Sequence, residues 1–313
     1  MPDISIVIPL YNCLELTRAC VASLEETIGQ RDDFEVIFAD DASTDGTSEW
    51  LKSLPEPRYR SVRHESNRGY AAANNAAVKL AHGRYLVLLN NDTVLRPGWL
   101  EAMLRVLLRA PQAGVVGNVQ READSGLIDH VGVLFTLGGY PVHAGKDSVS
   151  PPDEEYLGWP AVTAACCAMR RDLFTQLGGF DEAFRNSYED TDFCLKAREA
   201  GFQNYVANRS VIYHHVSASP GRKDNDVQNF AVFWERWGGM LSNLMEAHQQ
   251  QEIRARRALQ IHEHRHRDGW RYLRKHAARP WRFNAARLRE ALAGVVSRLP
   301  AAATVKPDPF FRL

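Results

Sequence analysis

The chain has no apolar run approaching the roughly 20 residues that a bilayer-spanning helix needs, so a membrane-embedded reading has nothing to rest on. Its opening residues, MPDISIVIPLYN, lack a basic stretch followed by a long apolar one, and do not read as a secretory signal. Cysteine is scarce: Cys13, Cys20, Cys166, Cys167 and Cys194 are the five among 313 residues. The number is odd and the adjacent pair fits no zinc spacing. Both points argue for a reduced, cytosolic chain with buried thiols. No internal repeat is visible. Net charge is also lacking, with 38 Lys and Arg against 38 Asp and Glu. That balance hides an asymmetry, because from about residue 250 onward basic residues exceed acidic ones by about ten.

What is present is an ordinary globular composition, 45% hydrophobic and 24% charged, long enough for one large domain or two modest ones. ISIVIPL (4–10) is a short two-sided apolar run, as in a buried parallel strand. Leu14 to Ile28 follows with helical spacing of Leu16, Ala19, Cys20 and Leu24. FEVIFAD (34–40) is a second strand running into DDASTDGT, where Ser43, Thr44 and Asp45 can cap a helix through Leu51. YRSVRH (59–64) is a weaker strand, and GYAAANNAAVKLAHG (69–83) reads as an Ala-rich helix closed by Gly83. RYLVLLN (84–90) is a fourth strand, and RPGWLEAMLRVLLRA (96–110) a helix with Pro97 near its start.

Strands alternating with helices at this spacing predict a parallel, doubly wound sheet, whose ligands sit beyond the carboxyl ends of the strands. Pro9–Asn12, Asp40–Asp41 and Asn90–Asp92 fall at such ends. Residues 111–165 read as less regular, and within them GLIDHVGVLFTLGGYPVHAG has short strand-like runs and many glycines suited to loops around a cleft. WPAVTAACCAMRRDLFTQLGGF reads as a strand and a short helix, DTDFCLKAREAG (190–201) as a helix, and QNYVANRSVIYHH (203–215) as a strand pair. Pro220 to Asp226 is a polar linker before a helical, increasingly basic segment.

SIVIPLYN, ADDASTDGT, NRGYAAANN, LLNNDT and the block GGFDEAFRNSYEDTDFCLKAREAGF, followed by VIYHHVSAS, stand here in one order. Together they resemble the inverting glycosyltransferases of family 2, and among these the bacterial rhamnosyltransferase-like enzymes of cell-surface polysaccharide assembly. The resemblance covers about residues 3 to 220. It implies an α/β chain of the GT-A type, Rossmann-like, with a mostly parallel central sheet flanked by helices and a helical C-terminal extension. The expected GT-A domain is 1–220, with a donor half of about 1–110, an acceptor half of about 111–220, and the basic extension at 221–313.

The resemblance also implies roles. Asp41, with Asp40 beside it, takes the place of the nucleotide-base contact, and a carboxylate there can accept the imide N–H of a pyrimidine. UDP or dTDP is therefore the expected carrier. Pro9 and Tyr11 fall in the loop beneath the base. Asn67, Gly69 and Asn75 align with the segment that approaches the nucleotide, and Arg68 is a candidate diphosphate contact. Ala77 departs from the family's usual glycine. NND occupies the place of the metal-binding DxD motif, so Asp92 is the expected carboxylate ligand to Mn2+ or Mg2+, with Asn91 turned to the ribose. Magnesium takes one or two carboxylates plus substrate phosphates, and manganese accepts an imidazole as well. His214 is expected to complete that site, with His215 as the alternative. Asp190 takes the general base's place, with Glu189 orienting the acceptor and Asp192 supporting the loop.

The partners so implied are a nucleoside-diphosphate sugar and a glycan or lipid-linked acceptor, handled in the cytoplasm or at the cytoplasmic face of the inner membrane. Arg254, Arg256, Arg257, Arg265, Arg267, Arg271, Arg274 and Lys275, interleaved with Trp270, Tyr272, Trp281 and Phe283, suit a helix lying on anionic lipid. That use is favoured over nucleic acid, and a solvated face or an oligomer contact stands beside it. FWERW (233–237) keeps only Arg236 and Trp237 of the QxxRW motif of processive synthases. A non-catalytic sugar-nucleotide or glycan-binding module is the alternative function. A pyrophosphorylase would need a Gly-rich basic loop where PLYNCLE stands.

Overall fold

ISIVIPL and FEVIFAD are buried along their whole length, and strands apolar on both faces need helical cover on each side. The computed structural model, which describes residues 2–136, 138–215 and 225–241, has that arrangement. In chain order the first half holds β1 (Ile4–Leu10), α1 (Leu14–Ile28), β2 (Phe34–Asp40), α2 (Thr47–Lys52), β3 (Tyr59–Arg63), α3 (Tyr70–Val78), β4 (Tyr85–Leu89), β5 (Thr93–Leu95) and α4 (Trp99–Arg109). The second half begins with β6 (Ala113–Glu122), β7 (Ile128–His130), β8 (Val133–Phe135), β9 (Pro141–His143) and β10 (Tyr156–Trp159). It continues with β11 (Cys166–Arg170), α5 (Arg171–Gln176), α6 (Glu189–Glu199) and β12 (Gln203–His214). A further helix, α7, is described over 226–241.

β3, β2, β1 and β4 lie side by side and parallel, which sets their carboxyl ends along one edge. β11 then joins β4 antiparallel, and β6, β12 and β10 complete the path. The sheet is thus mostly parallel in its first half and mixed beyond it. One core packs α1 and α4 on one face, with Leu24, Trp99 and Leu107 against Ile6 and Phe38. The other packs α3, α5 and α6 on the opposite face, with Ala73, Phe174 and Phe193 against Val7 and Leu88. Each large apolar side chain so buried contributes about 1.5–3 kcal/mol.

Four readings change. The supposedly irregular middle contains β6, ten residues long and central in the sheet. Its own two glycines serve close packing: a Cβ at Gly117 would come within 2.8 Å of Val162, and one at Gly114 within 2.9 Å of Asn204. The strand pair at 203–215 is one bulged strand, β12, which meets β10, β6 and β5 in turn. The Ala-rich helix stops at Val78, and Gly83 does not close it. Gly83 instead lies against β1, donating its N–H to Ser5 Oγ at 2.8 Å. Last, α7 buries Phe233, Trp237 and Leu241 against Phe135, Phe184 and Leu195. The first compact unit accordingly runs to Glu246.

The basic residues Arg254 to Lys275 lie outside the described residues. Among those described, no helix is long and apolar enough to cross a membrane. Of the five thiols, all unpaired with one another, four are buried and Cys13 is half-buried. Burial pushes the Cys20 thiol up to about 12.

A Cβ at Gly83 would fall 2.5 Å from the Ser5 backbone nitrogen, which cannot swing away. Gly83→Ala should cost about 1–3 kcal/mol by overpacking. Urea denaturation checks this, and an unchanged midpoint would refute the close approach.

Candidate active site

Asp40 and Asp41 end β2 and are both buried, but they do different work. Asp40 accepts the Ser43 N–H at 2.8 Å and pairs with Arg63, so it holds its own turn. Asp41 accepts the Arg68 and Gly69 N–H groups at 2.9 and 2.8 Å and meets His64 Nδ1 at 2.7 Å. The NRG loop is therefore hung on Asp41. Gly69 can turn its N–H to Asp41 there because its φ of +91° suits glycine. Asn12, Cys13 and Ala42, at the ends of β1 and β2, are also left-handed. Asn12 bridges the two loops, its Oδ1 accepting the Thr44 N–H at 2.7 Å. Pro9 is buried in β1, and Tyr11 is 48% exposed at the rim.

The structure gives other expected donor residues different employment. Asn75 uses both ends of its amide on Phe180, at 2.8 and 3.0 Å, and so clamps the chain before α6. Asn67 is exposed, and its carbonyl accepts from Arg185 at 3.3 Å. Arg68 pairs with Glu182 in an exposed contact of little energetic weight. Asn91 donates one amide hydrogen to Thr17 Oγ1 of α1 at 2.9 Å, which ties the NND turn to that helix.

Asp92 and His214, 122 positions apart in the chain, are brought together. Antiparallel pairing of β5 with β12 sets His214 opposite Thr93, and Asp92 Oδ1 lies 3.1 Å from His214 Nε2. That approach is too poorly directed to satisfy Oδ1 as a hydrogen bond. His215 contributes only its backbone N–H, donated to the Asp92 carbonyl at 2.9 Å. Asp92 Oδ1, Asn90 Oδ1 and His214 Nδ1 are buried without a hydrogen-bond partner among the described residues. Carboxylate, amide oxygen and imidazole are donor types that Mn2+ or Mg2+ accepts, and of the three residues Asp92 and His214 are the pair in direct contact. No group of three His, Cys, Asp or Glu converges among the described residues, so the protein offers a corner, not a closed cage.

α6 begins at Glu189, after left-handed Asn186 and Tyr188, and carries Glu189, Asp190 and Asp192 in its first turn. There the carboxylates gain from the helix N-terminus. Asp192 is fully buried and accepts from Arg236 at 2.6 Å and from the Trp237 indole at 2.9 Å, with Lys196 2.8 Å away. The remnant RW pair of FWERW thus fastens α7 to α6. Asp190 Oδ1 accepts the Thr191 N–H at 2.6 Å, and its Oδ2 accepts the Ala164 N–H at 3.0 Å. Ala165 in turn accepts the Asn90 N–H at 2.8 Å, so two residues join the carboxylate to the Asp92 corner. The Tyr70 hydroxyl donates to the Ala164 carbonyl at 3.0 Å. Burial, reinforced by Cys167, Glu189 and Asp190, keeps that phenol protonated well above its ordinary range.

Glu189 and Asp190 line a cavity of about 270 Å³, with Thr163, Ser187, Tyr188 and His143 among its other walls. Sequence reading did not find His143, Asp129 or the Ala164–Ala165 link. Each lies in the stretch read as loop or plain strand, and only tertiary contacts reveal them.

A sheet with acidic loops at its carboxyl edge, an Asp–His corner and a carboxylate-lined cavity defines a glycosyltransferase of the GT-A type. The chain matches the family described as "Glycosyl transferase family 2" over residues 5–178 and belongs to it. It is 32% identical over 227 residues to the O-antigen biosynthesis protein RfbC of Myxococcus xanthus, covering 70% of this chain and 18% of that one. It is 27% identical over 212 residues to N-acetylglucosaminyl-diphospho-decaprenol L-rhamnosyltransferase of Mycobacterium tuberculosis, covering 60% and 68%. The chain therefore spans about a fifth of the first relative and about two thirds of the second. Among solved structures it is similar to the mannosyltransferase PcManGT of Pyrobaculum calidifontis in complex with GDP-Man and Mn2+. There the TM-score is 0.55 at 23% identity, over 75% of this chain and 64% of that one, a likeness of fold.

If Asp92 and His214 hold a cation against a nucleotide, UDP with Mn2+ at 100-fold excess over Kd should stabilise the protein by about 2.7 kcal/mol. Asp92→Ala should lose that thermal shift and His214→Ala should reduce it. Equal shifts in all three proteins would remove the corner from the donor site.

Proposed function

We propose that this chain transfers a sugar, with inversion, from a nucleoside-diphosphate donor to a hydroxyl of a glycan or lipid-linked acceptor in bacterial cell-surface polysaccharide synthesis. The observation that carries this is the single link from Asp190, through Ala164 and Ala165, to Asn90 beside the Asp92–His214 corner. It joins a carboxylate in a cavity wall, through one dipeptide turn, to the Asp92–His214 corner, and a direct displacement with a metal-held leaving group would use such an arrangement. Asp190 takes the proton of the acceptor hydroxyl as that oxygen attacks the anomeric carbon. The bond from that carbon to the diphosphate oxygen breaks, and the configuration inverts. Thr191 and Ala164 hold the two carboxylate oxygens, fixing which lone pairs face the cavity. A divalent cation held by Asp92 and His214 would neutralise charge on the departing diphosphate.

Asp41 at the end of β2 supports a pyrimidine carrier, UDP or dTDP. The relatives named for O-antigen synthesis and for a decaprenol-linked acceptor support a cell-envelope substrate. The basic residues from Arg254 to Lys275 suit anionic lipid, which would bring the chain to the cytoplasmic face of the inner membrane.

Asp190→Asn should lower transfer by about 10²–10⁴-fold, the usual weight of a positioned base, while thermal stabilisation by UDP and Mn2+ survives. Near-normal turnover would sink the assignment. A chelator should stop transfer, and a screen of UDP, dTDP and GDP, each with and without Mn2+, should favour the two pyrimidines. A protein that binds these nucleotides yet neither transfers nor hydrolyses their sugars would be a binding module instead.

A further inference from the structure

The cavity beside Asp190 has one imidazole in its wall, that of His143 at the end of β9. The ring is held from two sides. Its Nδ1 lies 3.0 Å from Oδ2 of Asp129, a carboxylate only 1% exposed. Its edge packs on the buried ring of His130, with centroids 4.9 Å apart at 71°. A carboxylate only accepts, so Nδ1 carries the hydrogen in either charge state of the ring. Burial alone would raise the Asp129 pKa, but hydrogen bonds and charges from His143 and Lys146 hold it below the usual carboxylate range. Asp129 therefore stays ionised and keeps the ring's orientation.

That leaves Nε2 as the nitrogen presented outward, and among the described residues no hydrogen-bond partner engages it. A purely structural tie would not need this ring. Lys146 already pairs with Asp129 and joins β7 to the chain after β9. The remaining walls mix Thr163, Ser187, Thr191 and Asp226 with Val133, Pro141 and Tyr188, a lining that offers partners for hydroxyls and apolar faces for a sugar ring.

We propose that His143 Nε2 hydrogen-bonds a hydroxyl of the acceptor saccharide and so decides which hydroxyl faces Asp190. This rests on the reading of the cavity as the acceptor site. A hydroxyl can donate to neutral Nε2 or accept from Nε2–H, so the contact persists in both charge states.

The test uses the full chain with Mn2+, UDP-glucose, UDP-N-acetylglucosamine and dTDP-rhamnose as donors, and octyl glycosides of rhamnose, glucose and N-acetylglucosamine as acceptors. His143→Ala should raise the acceptor KM by about 3- to 10-fold, the scale of one neutral hydrogen bond made by a partly exposed ring. Donor KM and acceptor-independent donor hydrolysis should stay within about twofold. The linkage position of any product should become mixed, and His143→Gln should recover part of the acceptor affinity. An unchanged acceptor KM, or a parallel fall in donor hydrolysis, overturns the proposal while leaving glycosyl transfer intact. If His143→Ala does not fold, His143→Gln carries the same decision through its linkage pattern. A wild-type chain that neither transfers nor hydrolyses any donor fails the glycosyl-transfer reading itself, and this inference falls with it.

Discussion

Two hydrogen bonds on either side of one dipeptide set the distance on which this site depends. Ala164 gives its N–H to Asp190, and Ala165 takes the N–H of Asn90. The dipeptide is where it is because β11 enters the sheet antiparallel beside β4, with Cys166 opposite Leu89. The second half of the chain is thereby seated on the carboxyl edge built by the first. Without that strand the donor loops and α6 would belong to separate surfaces. The dipeptide makes both links through its backbone, so the only side-chain rotamer between Asn90 and the carboxylate is that of Asp190 itself.

Holding this edge together has a conformational cost. Among the described residues six non-glycine residues have positive φ, and five of them, Asn12, Cys13, Ala42, Asn186 and Tyr188, flank the candidate site. Such residues cost about 1–3 kcal/mol each unless their surroundings over-determine them. Here the surroundings do so: Ser43 and Thr44 bond Asn12, and Asp45 accepts the Leu14 N–H at 2.9 Å. The buried charge of Asp192 is balanced in the same spirit, by Arg236 and Lys196. Removing one partner of such a pair costs about 3–5 kcal/mol, so α7 is part of what keeps α6 in place.

The parallel strands were legible because two-sided apolar runs such as ISIVIPL leave no other choice. β1, α1 and β2 begin and end where periodicity puts them. LLNNDT could be read as a metal corner only in company, and His214 now stands beside Asp92. β6 was not legible. Its glycines and its buried Asn118 and Gln120 mimic a loop, and only contact with Val162 and Asn204 explains them. The tie from Asn75 to Phe180 was not legible for a related reason, since a side chain that bonds a segment over 100 positions away leaves no local signal. His143 and Asp129 escaped because their pairing depends on β7 and β9 lying close, which no periodicity announces.

Asp41 also works as a counter. A carboxylate offers about four acceptor positions, and His64, Arg68 and Gly69 occupy three. One incoming N–H can be satisfied at that strand end. The imide edge of uracil or thymine brings one such hydrogen. The corresponding edge of guanine brings two side by side, and the second, if buried without an acceptor, would cost about 1–3 kcal/mol. If Asp41 meets the base as proposed, the loop that looks merely well anchored would sort carriers by arithmetic, penalising the surplus donor where it would otherwise have to reward the right base.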